Sequence, residues 1–216
     1  MLLVRDSMTR EIVTLAPDET VGTALALCRE RRIRHLPVLK ERRLVGIVSD
    51  RDLRSATPAF GDRERAAALQ EILVEDVMTS DVVSVLPDDP IEQAANTMRE
   101  RRIGSLPVVE SGELVGILTS SDVMSALVYL VGANEPGSRM EIAVPDRPGS
   151  LAGAAGVFGM CGINIVSAAM GPTRESVSAG EPRERIVVFR VDTIDTSEAV
   201  GYLEDAGYSV LWPPRH

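Results

Sequence analysis

The sequence contains few of the residues that build metal centres. It has two cysteines and two histidines among 216 residues. Cys28 and Cys161 show no metal-ligand or redox spacing, so we expect buried free thiols in a reducing compartment. The two histidines are far apart in the sequence, which argues against a histidine-based metal site. We therefore expect no metal centre.

Positive charge is also scarce. Lysine and arginine number 23 against 32 acidic residues, and the net charge is −9. Because nucleic-acid binders need a basic surface for phosphate contacts, this balance argues against a nucleic-acid partner. The chain also lacks the run of about 20 apolar residues that spans a membrane, and its first ten residues do not resemble a secretion signal. We expect a cytoplasmic protein with no membrane partner.

What the sequence does contain is an internal repeat. Residues 4–56 align with residues 74–126 at a constant offset of 70 without a gap, with 23 identities in 53 positions. The segments LPV (36–38 and 106–108) and LVGI (44–47 and 114–117) occur in both copies. A solenoid needs three or more copies, so two copies predict a pair packed within one chain.

Each copy predicts the same order of elements, β-α-β-β-α. A short apolar strand, at 12–15 or 82–85, leads through a turn into a helix at about 20–31 or 90–101. Two short apolar runs then follow, separated by polar turn residues, and they predict a hairpin. A last helix begins near Asp50 in the first copy and near Ser120 in the second.

The rest of the chain predicts two connecting segments and a third domain. Residues 58–73 are amphipathic and predict a connector helix, and residues 132–138 are rich in turn formers and predict a linker. Residues 139–216 predict the order β-α-β-β-α-β of a ferredoxin-like fold. Glycines 153, 156 and 159 do not form a dinucleotide loop, because the close G-x-G at a strand-to-helix turn is missing. We expect them to form a flat helix face for close packing.

The repeat resembles a pair of CBS motifs, also called a Bateman module. The resemblance rests on the V-x-D-x-M-T openings, the LPV and LVGI strands, and the endings SDRD and TSSD. It covers residues 1 to about 130 and places motif one at 1–57 and motif two at 74–131. The implied fold is α+β, with two β-α-β-β-α units packed as a pseudo-dimer. The implied ligands are adenosine compounds: AMP, ADP, ATP or S-adenosylmethionine.

By this resemblance, both motifs supply nucleotide-binding residues. In motif one they are Thr9, Ile12, Val13, Arg34, His35, Ser49, Arg51 and Asp52, and in motif two Thr79, Val82, Val83, Gly104, Ser105, Thr119, Ser121 and Asp122. The two late aspartates are implied to bind ribose, and the backbone at 12–13 and 82–83 the edge of adenine. Arg34 offers a charged fork for phosphate, whereas Gly104 holds its place in motif two. We therefore expect two clefts that are not equivalent.

Several of these residues also have a structural interpretation. Ser49 with Asp52, and Thr119 with Asp122, have the spacing of a capping box at a helix start. The two roles are compatible, because the hydroxyl group can cap while the acid binds a ligand. Thr9 and Thr79 can likewise be caps. The arginines at 29, 31 and 32, and at 99, 101 and 102, fit the C-terminal turn of a helix.

The last domain resembles an ACT domain, an amino-acid-binding regulatory module. The resemblance rests on the turn VPDRPGSLA and on the segment CGINI. Amino acids bind between paired ACT domains, which implies a site at Asp146, Arg147, Pro148, Gly149, Ser150, Leu151 and Asn164. Alternatively, Gly149 shapes a turn, Ser150 caps a helix and Asn164 lies in a connection. Two CBS motifs followed by an ACT domain resemble the bacterial acetoin-utilisation regulatory proteins.

These resemblances imply a regulatory protein without catalytic activity. It would sense an adenine nucleotide or S-adenosylmethionine in the CBS clefts and an amino acid at an ACT dimer interface. We expect a homodimer and no required cofactor, and the sequence does not identify a regulated protein partner. The alternative is a structural or interaction protein whose CBS and ACT modules serve only for dimerisation. The sequence offers no nucleophile–base pair that would indicate an enzyme.

Overall fold

The computed structural model describes residues 2–56, 61, 67, 69–175 and 183–214. The chain divides into two compact units, Met1–Met124 and Ser125–His216. Most of the predicted connector at 58–73 lies outside the described residues, although residues 69–71 are helical. The predicted domain boundaries stay predictions.

In the first unit, each repeat places a hairpin between two helices. Motif one contains α1 (Val4–Ser7), α2 (Val21–Arg31), β1 (His35–Lys40), β2 (Arg43–Ser49) and α3 (Asp50–Ser55). Motif two contains a 3-10 turn (Val74–Asp76), α4 (Ile91–Arg101), β3 (Ser105–Glu110), β4 (Glu113–Thr119) and α5 (Ser120–Leu130). The predicted central helices, hairpins and last helices are confirmed.

The ends of α2 follow from local chemistry. The Thr20 hydroxyl group accepts a hydrogen bond from the Thr23 backbone N–H at 3.2 Å and so caps the helix. The helix stops at Arg31, and Arg32 follows with φ 54°. Arg102 repeats this conformation after α4 with φ 55°. The arginine-rich stretches are therefore helix ends, as the structural interpretation predicted.

The predicted opening strands are wrong in extent, and proline explains why. Among the described residues of motif one, a single parallel bridge forms, between Leu15 and Val38. Leu15 donates to the Pro37 carbonyl at 3.0 Å, and Leu39 donates to the Leu15 carbonyl at 2.8 Å. The next rung would need a backbone N–H at Pro37 to reach the Val13 carbonyl, and proline has none.

Motif two ends its ladder in the same way. Val85 donates to the Pro107 carbonyl at 3.1 Å, and Val109 donates to the Val85 carbonyl at 2.9 Å. The missing N–H of Pro107 excludes the rung to Val83. Each opening segment is therefore joined to its hairpin at a single position.

The two motifs exchange their opening segments. Thr9 pairs with Ile117 of motif two, and Thr79 pairs with Ile47 of motif one. The side chain of Met78 lies against Gly46, and that of Met8 lies against Gly116, so closely that a Cβ atom on either glycine would overlap the methionine sulfur. The glycine of each LVGI strand thus makes room for the methionine of the other motif. The repeat forms one pair within the chain, as predicted.

The second unit contains the ferredoxin-like fold that the sequence predicts. Its elements are β5 (Ser138–Pro145), α6 (Ser150–Met160), β6 (Ile165–Arg174), β7 (Glu184–Val191), α7 (Ser197–Asp205) and β8 (Ser209–Trp212). The antiparallel neighbours lie in the order β6-β7-β5-β8. Phe158 of α6 packs on Phe189 of β7 in the core, with ring centroids 5.1 Å apart.

The prediction of a flat glycine face on α6 is correct at one position only. A Cβ on Gly153 would lie 2.5 Å from the Tyr208 hydroxyl oxygen, so this glycine allows a close contact. At Gly156 and Gly159 the added atom would meet no described atom within 4 Å. Close packing within the described chain therefore does not explain these two glycines.

Candidate functional site

In motif one, three predicted stretches meet at one end of the hairpin. His35 pairs with Ser49 across β1 and β2. The Asp50 N–H donates to the Arg34 carbonyl at 2.9 Å, which holds the start of α3 beside the start of β1. Val13 precedes the bridge at Leu15, so the extended segment runs along the same strand. The fold therefore brings Val13, Arg34, His35 and Ser49 to this end of the hairpin. Thr9, in contrast, pairs with Ile117 of motif two.

Motif two repeats this arrangement. Ser105 pairs with Thr119 across β3 and β4. The Ser120 N–H donates to the Gly104 carbonyl at 3.0 Å. Ser105 is only 5% exposed, the least accessible of the predicted nucleotide-binding side chains. Whether these residues bind a nucleotide stays a prediction.

Asp52 closes a capping box on α3. One of its carboxylate oxygens, Oδ2, accepts from the Ser49 N–H at 3.1 Å and from the Ser49 hydroxyl at 2.6 Å. The Asp52 N–H donates back to Ser49 Oγ at 3.3 Å. The capping interpretation is confirmed here. Among the described residues, none donates to the second oxygen, Oδ1.

Asp122 does the same at the start of α5. Its Oδ2 accepts from the N–H and the hydroxyl of Thr119, both at 2.7 Å. Its own N–H donates to Thr119 Oγ1 at 3.4 Å. Again no described group donates to Oδ1. Each aspartate thus stabilises a helix start and keeps one oxygen atom that can accept a hydrogen bond from a ligand hydroxyl group.

Val13 and Val83 present unpaired peptide groups. Within the described chain, neither residue uses its backbone N–H or C=O in a hydrogen bond. Both residues are partly buried. One extended residue with a free donor and a free acceptor complements the Watson–Crick edge of adenine, where N1 accepts and the 6-amino group donates. This pair of groups is what a backbone contact to adenine requires.

The residues that differ between the copies fit each other across the pair. The His35 ring of motif one lies against Gly104 of motif two, where a Cβ would come within 3.1 Å of both Cε1 and Nε2. A side chain at position 104 would therefore require the His35 ring to shift by a few tenths of an ångström. Arg34, beside it, is exposed, and its guanidinium group has no hydrogen bond or ion pair with a described residue.

The partly buried ring of His35 has a lowered pKa. Burial lowers its pKa from the ordinary value of 6.5, the Asp52 carboxylate opposes this effect, and the Arg34 guanidinium group adds to it. An anion bound near the ring would raise the pKa and draw a proton onto the imidazole. The charge of this corner thus depends on what occupies it.

An open cleft of about 810 Å³ lies elsewhere in the first unit, between the two hairpin turns. Its walls include Arg42, Asp81, Val82 and Glu113. Of the predicted nucleotide-binding residues, it contains only Val82. Its mixed charges select no ligand class, whereas the hairpin ends carry the free peptide groups and carboxylate oxygens. We therefore take the hairpin ends as the candidate site.

In the second unit, the first turn of the predicted amino-acid site is already engaged. Arg185 donates to Asp146 from Nε at 2.9 Å and from Nη2 at 3.3 Å. These bonds hold the pKa of Asp146 below its ordinary value. Gly149 is the N-cap of α6 with φ 88°, as expected of a turn residue, and Ser150 is the first helical residue. The alternative in which Ser150 caps the helix is wrong.

One chain does not bring the predicted amino-acid site together. Strands β5 and β6 are both antiparallel to β7 and so run parallel to each other. Asp146 follows the end of β5, whereas Asn164 precedes the start of β6. The Asn164 N–H donates to Asp192 Oδ1 at 3.0 Å at that opposite end of the sheet. The two parts of the site are separated by the length of a strand.

The described residues offer neither a cluster of metal ligands nor a helix that could span a membrane. They contain no group of three or more His, Cys, Asp or Glu side chains that could hold a metal ion. No helix in the described part of the chain combines the length and apolar character needed to cross a membrane.

Comparison with known families identifies both units. The CBS domain family matches residues 4–58 and 74–129. The ACT domain family matches residues 138–208. The two CBS matches cover the repeat, and the ACT match covers the ferredoxin-like fold.

Three solved structures resemble the first unit. A Vibrio cholerae protein assigned to acetoin utilization (AcuB) is 37% identical, with a TM-score of 0.54, and the match covers 62% of this chain and 96% of that chain. CBSX2, solved with AMP, is 32% identical with a TM-score of 0.52, over 60% and 98% of the two chains. The CBS pair of protein MJ0100, solved with 5′-methylthioadenosine and S-adenosyl-L-methionine, is 27% identical with a TM-score of 0.51, over 59% and 96%.

Enzymes also match, but only through CBS domains. An inosine-5′-monophosphate dehydrogenase of Korarchaeum cryptofilum is 34% identical over 140 residues, which are 64% of this chain and 27% of that enzyme. The chain thus spans about a quarter of the length of the dehydrogenase. The match therefore concerns the CBS domains and does not include the catalytic part of that enzyme.

Proposed function

Since the chain belongs to the CBS domain family, with two CBS domains in tandem followed by an ACT domain, we propose that it is a regulatory protein that binds an adenine nucleotide. The observation that carries the proposal is the pair of unpaired peptide groups at Val13 and Val83. Each lies beside the first strand of a hairpin whose second strand leads into a helix capped by an aspartate with one free oxygen. Adenine and ribose both find partners in this arrangement.

The ligand we propose for motif one carries a phosphate. The unpaired guanidinium group of Arg34 and the partly buried ring of His35 form a corner that favours an anion. The sulfonium of S-adenosylmethionine would bring a positive charge toward that corner. AMP, ADP or ATP is therefore favoured over S-adenosylmethionine at this end of the pair.

Regulation would follow from differential binding. A nucleotide changes the arrangement of the two motifs only if it binds one arrangement better than another. The opening segments cross between the motifs at Thr9 and Thr79, close in sequence to the adenine-reading residues. Ligand contacts at Val13 or Val83 therefore act on segments that already join the two motifs. We propose no catalytic activity for the chain itself.

Thermal unfolding with AMP, ADP, ATP and S-adenosylmethionine tests the proposal. A ligand that binds only the native state at 100 times its Kd adds about 2.7 kcal/mol to the free energy of unfolding. We expect at least one adenine nucleotide to raise the midpoint at millimolar concentration. Isothermal calorimetry that detects no binding of any of the four would refute the proposal.

Asp122→Ala is the site variant, and Asp89→Ala is its matched control. Asp89 also accepts a backbone hydrogen bond, from Leu86 at 2.8 Å, but it is not one of the predicted nucleotide-binding residues. Both variants should lose about 1 kcal/mol of stability, Asp122→Ala because it opens the capping box of α5 and Asp89→Ala because it removes the hydrogen bond in the turn before α4. Only Asp122→Ala should also weaken nucleotide binding. Equal affinities for the two variants would remove the ribose role of Asp122.

For the ACT domain, we propose an amino-acid site shared by two copies of the chain. Asp146 and Asn164 lie at opposite ends of the sheet in one copy, so the site is complete only if a second copy supplies the missing part. A screen of the common amino acids by Trp212 fluorescence, with sedimentation to follow the dimer, tests this. Binding to a monomer would contradict the shared site.

The alternative is a dimerisation scaffold without ligands. The uncovered glycines 156 and 159 on α6 favour it, because they offer a flat surface that the described chain does not use. A stable dimer that binds neither nucleotides nor amino acids in calorimetry would support this alternative.

A further inference from the structure

The prolines of the two LPV segments govern the groups that we propose to read adenine. In β1, Leu39 directs its N–H toward the opening segment and donates to Leu15 at 2.8 Å. Position 37 lies two residues earlier, so an N–H at that position would point to the same side, toward the Val13 carbonyl. Pro37 is buried there and has no N–H to donate.

The same relation holds in motif two. Val109 donates to the Val85 carbonyl at 2.9 Å, and Pro107 lies two residues earlier in β3. The Val83 carbonyl is left without a backbone donor among the described residues. A residue with an N–H at position 37 or 107 would supply the donor that this rung lacks.

We propose that Pro37 and Pro107 determine the base specificity of the clefts, because they keep the Val13 and Val83 carbonyls free for the 6-amino group of adenine. This inference rests on the proposed function. Hypoxanthine has a carbonyl at position 6 and a hydrogen on N1, so its donor and acceptor are reversed. The peptide groups of Val13 and Val83 would then meet groups of their own kind, and inosine monophosphate should bind poorly.

Valine substitution is the direct test, because it adds the missing N–H and keeps a branched apolar side chain. In the double variant Pro37→Val/Pro107→Val, the new amides should pair with residues 13 and 83 and resist hydrogen exchange. Calorimetry should then show at least a tenfold loss of AMP affinity. Pro145→Val, at the end of β5 in the second unit, is the matched control and should bind AMP like the wild type.

The outcomes separate this inference from the proposed function. If the wild type binds none of the adenine ligands, the proposed function fails and this inference fails with it. If the wild type binds AMP but the double variant binds it equally well, only the role of the prolines is refuted, whether or not the new amides are protected.

A measurement on the wild type keeps the inference testable if the double variant does not fold. AMP should bind at least tenfold more tightly than inosine monophosphate, which differs from it only at position 6 and N1. Equal affinity for the two nucleotides would overturn the inference, because the free carbonyl groups of Val13 and Val83 would then not discriminate adenine from hypoxanthine.

Discussion

Replacing Gly46 by alanine tests the contact between the two motifs. The added Cβ would overlap the sulfur of Met78, lie 2.9 Å from its Cγ and lie 3.3 Å from its Cβ. Movement of the sulfur alone would not relieve the overlap, so the whole Met78 side chain must turn away. Because that side chain comes from the opening segment of motif two, the substitution disturbs the packing of one motif on the other.

The expected cost follows from two opposing effects. Overpacking a tight contact by a methyl group costs about 1–3 kcal/mol. Replacing glycine by alanine also restricts the unfolded chain, which offsets about 0.4–1 kcal/mol. We expect a net loss of about 1–2 kcal/mol in the free energy of unfolding. Gly116→Ala, which would overlap the sulfur of Met8, should behave alike.

A double-mutant cycle identifies the cause. Met78→Ala removes the sulfur and Cγ atoms that the new methyl group at position 46 would meet, so the double variant Gly46→Ala/Met78→Ala should be more stable than the sum of the single effects predicts. We expect a coupling of about 1 kcal/mol or more, within the range for residues in contact. Urea unfolding followed by far-ultraviolet circular dichroism measures it. Trp212, in the second unit, gives a separate fluorescence signal.

Gly156→Ala is the control, because it makes the same chemical change in open space. A Cβ at this helical position would meet no described atom within 4 Å. Alanine favours a helix over glycine by about 1 kcal/mol, so this variant should be as stable as the wild type or more so. The reasoning is refuted if Gly46→Ala costs nothing, or if its effect and that of Met78→Ala add within about 0.5 kcal/mol.

Three further predictions concern single residues. Because the pKa of His35 lies below its unfolded value of 6.5, the unfolded chain takes up the proton first. Urea unfolding should therefore show stability falling as pH drops through 6.5, and His35→Gln should reduce that fall. Cys28 is 4% exposed and burial raises its pKa to about 11, so mass spectrometry after thiol labelling at pH 8 should find Cys161 modified first. Glu41 and Arg42 both have positive φ in the β1–β2 turn, so Arg42→Gly should raise stability by up to about 1 kcal/mol, and a loss would contradict this.

The repeat predicted most of the local structure in the first unit. Helices α2 and α4 and both hairpins follow from apolar spacing and turn residues within single segments, and such signals are visible in the sequence. The exchange of opening segments was not predicted. Met8 and Gly116 are more than a hundred residues apart, and no local pattern records their contact. The D-x-M-T and LVGI motifs, which occur in both copies, contain the methionine and the glycine of this contact. From the sequence alone, these motifs indicated only the family resemblance.

The site was predicted as a set of residues, but not as an arrangement. The capping role of Asp52 and Asp122 was recognised from spacing, because a capping box lies within four residues. The free peptide groups of Val13 and Val83 depend on a proline in another strand, and a strand prediction assumes that every rung can form. Similarly, the bond from Arg185 to Asp146 joins residues 39 positions apart and fixes a side chain expected to meet an amino acid.

The difference between the two copies has a cause that the sequence could not supply. Motif one has Arg34 and His35 where motif two has Gly104 and Ser105. From this difference the sequence predicts two unlike clefts. The structure adds a packing reason, because the His35 ring occupies the space beside Gly104 that a side chain would need. If motif two repeated the Arg34 of motif one, an arginine at position 104 would lie against the His35 ring. Replacing Gly104 by arginine would therefore require the His35 ring to shift, so motif two cannot gain a phosphate-binding arginine at this position without a change in the packing of motif one.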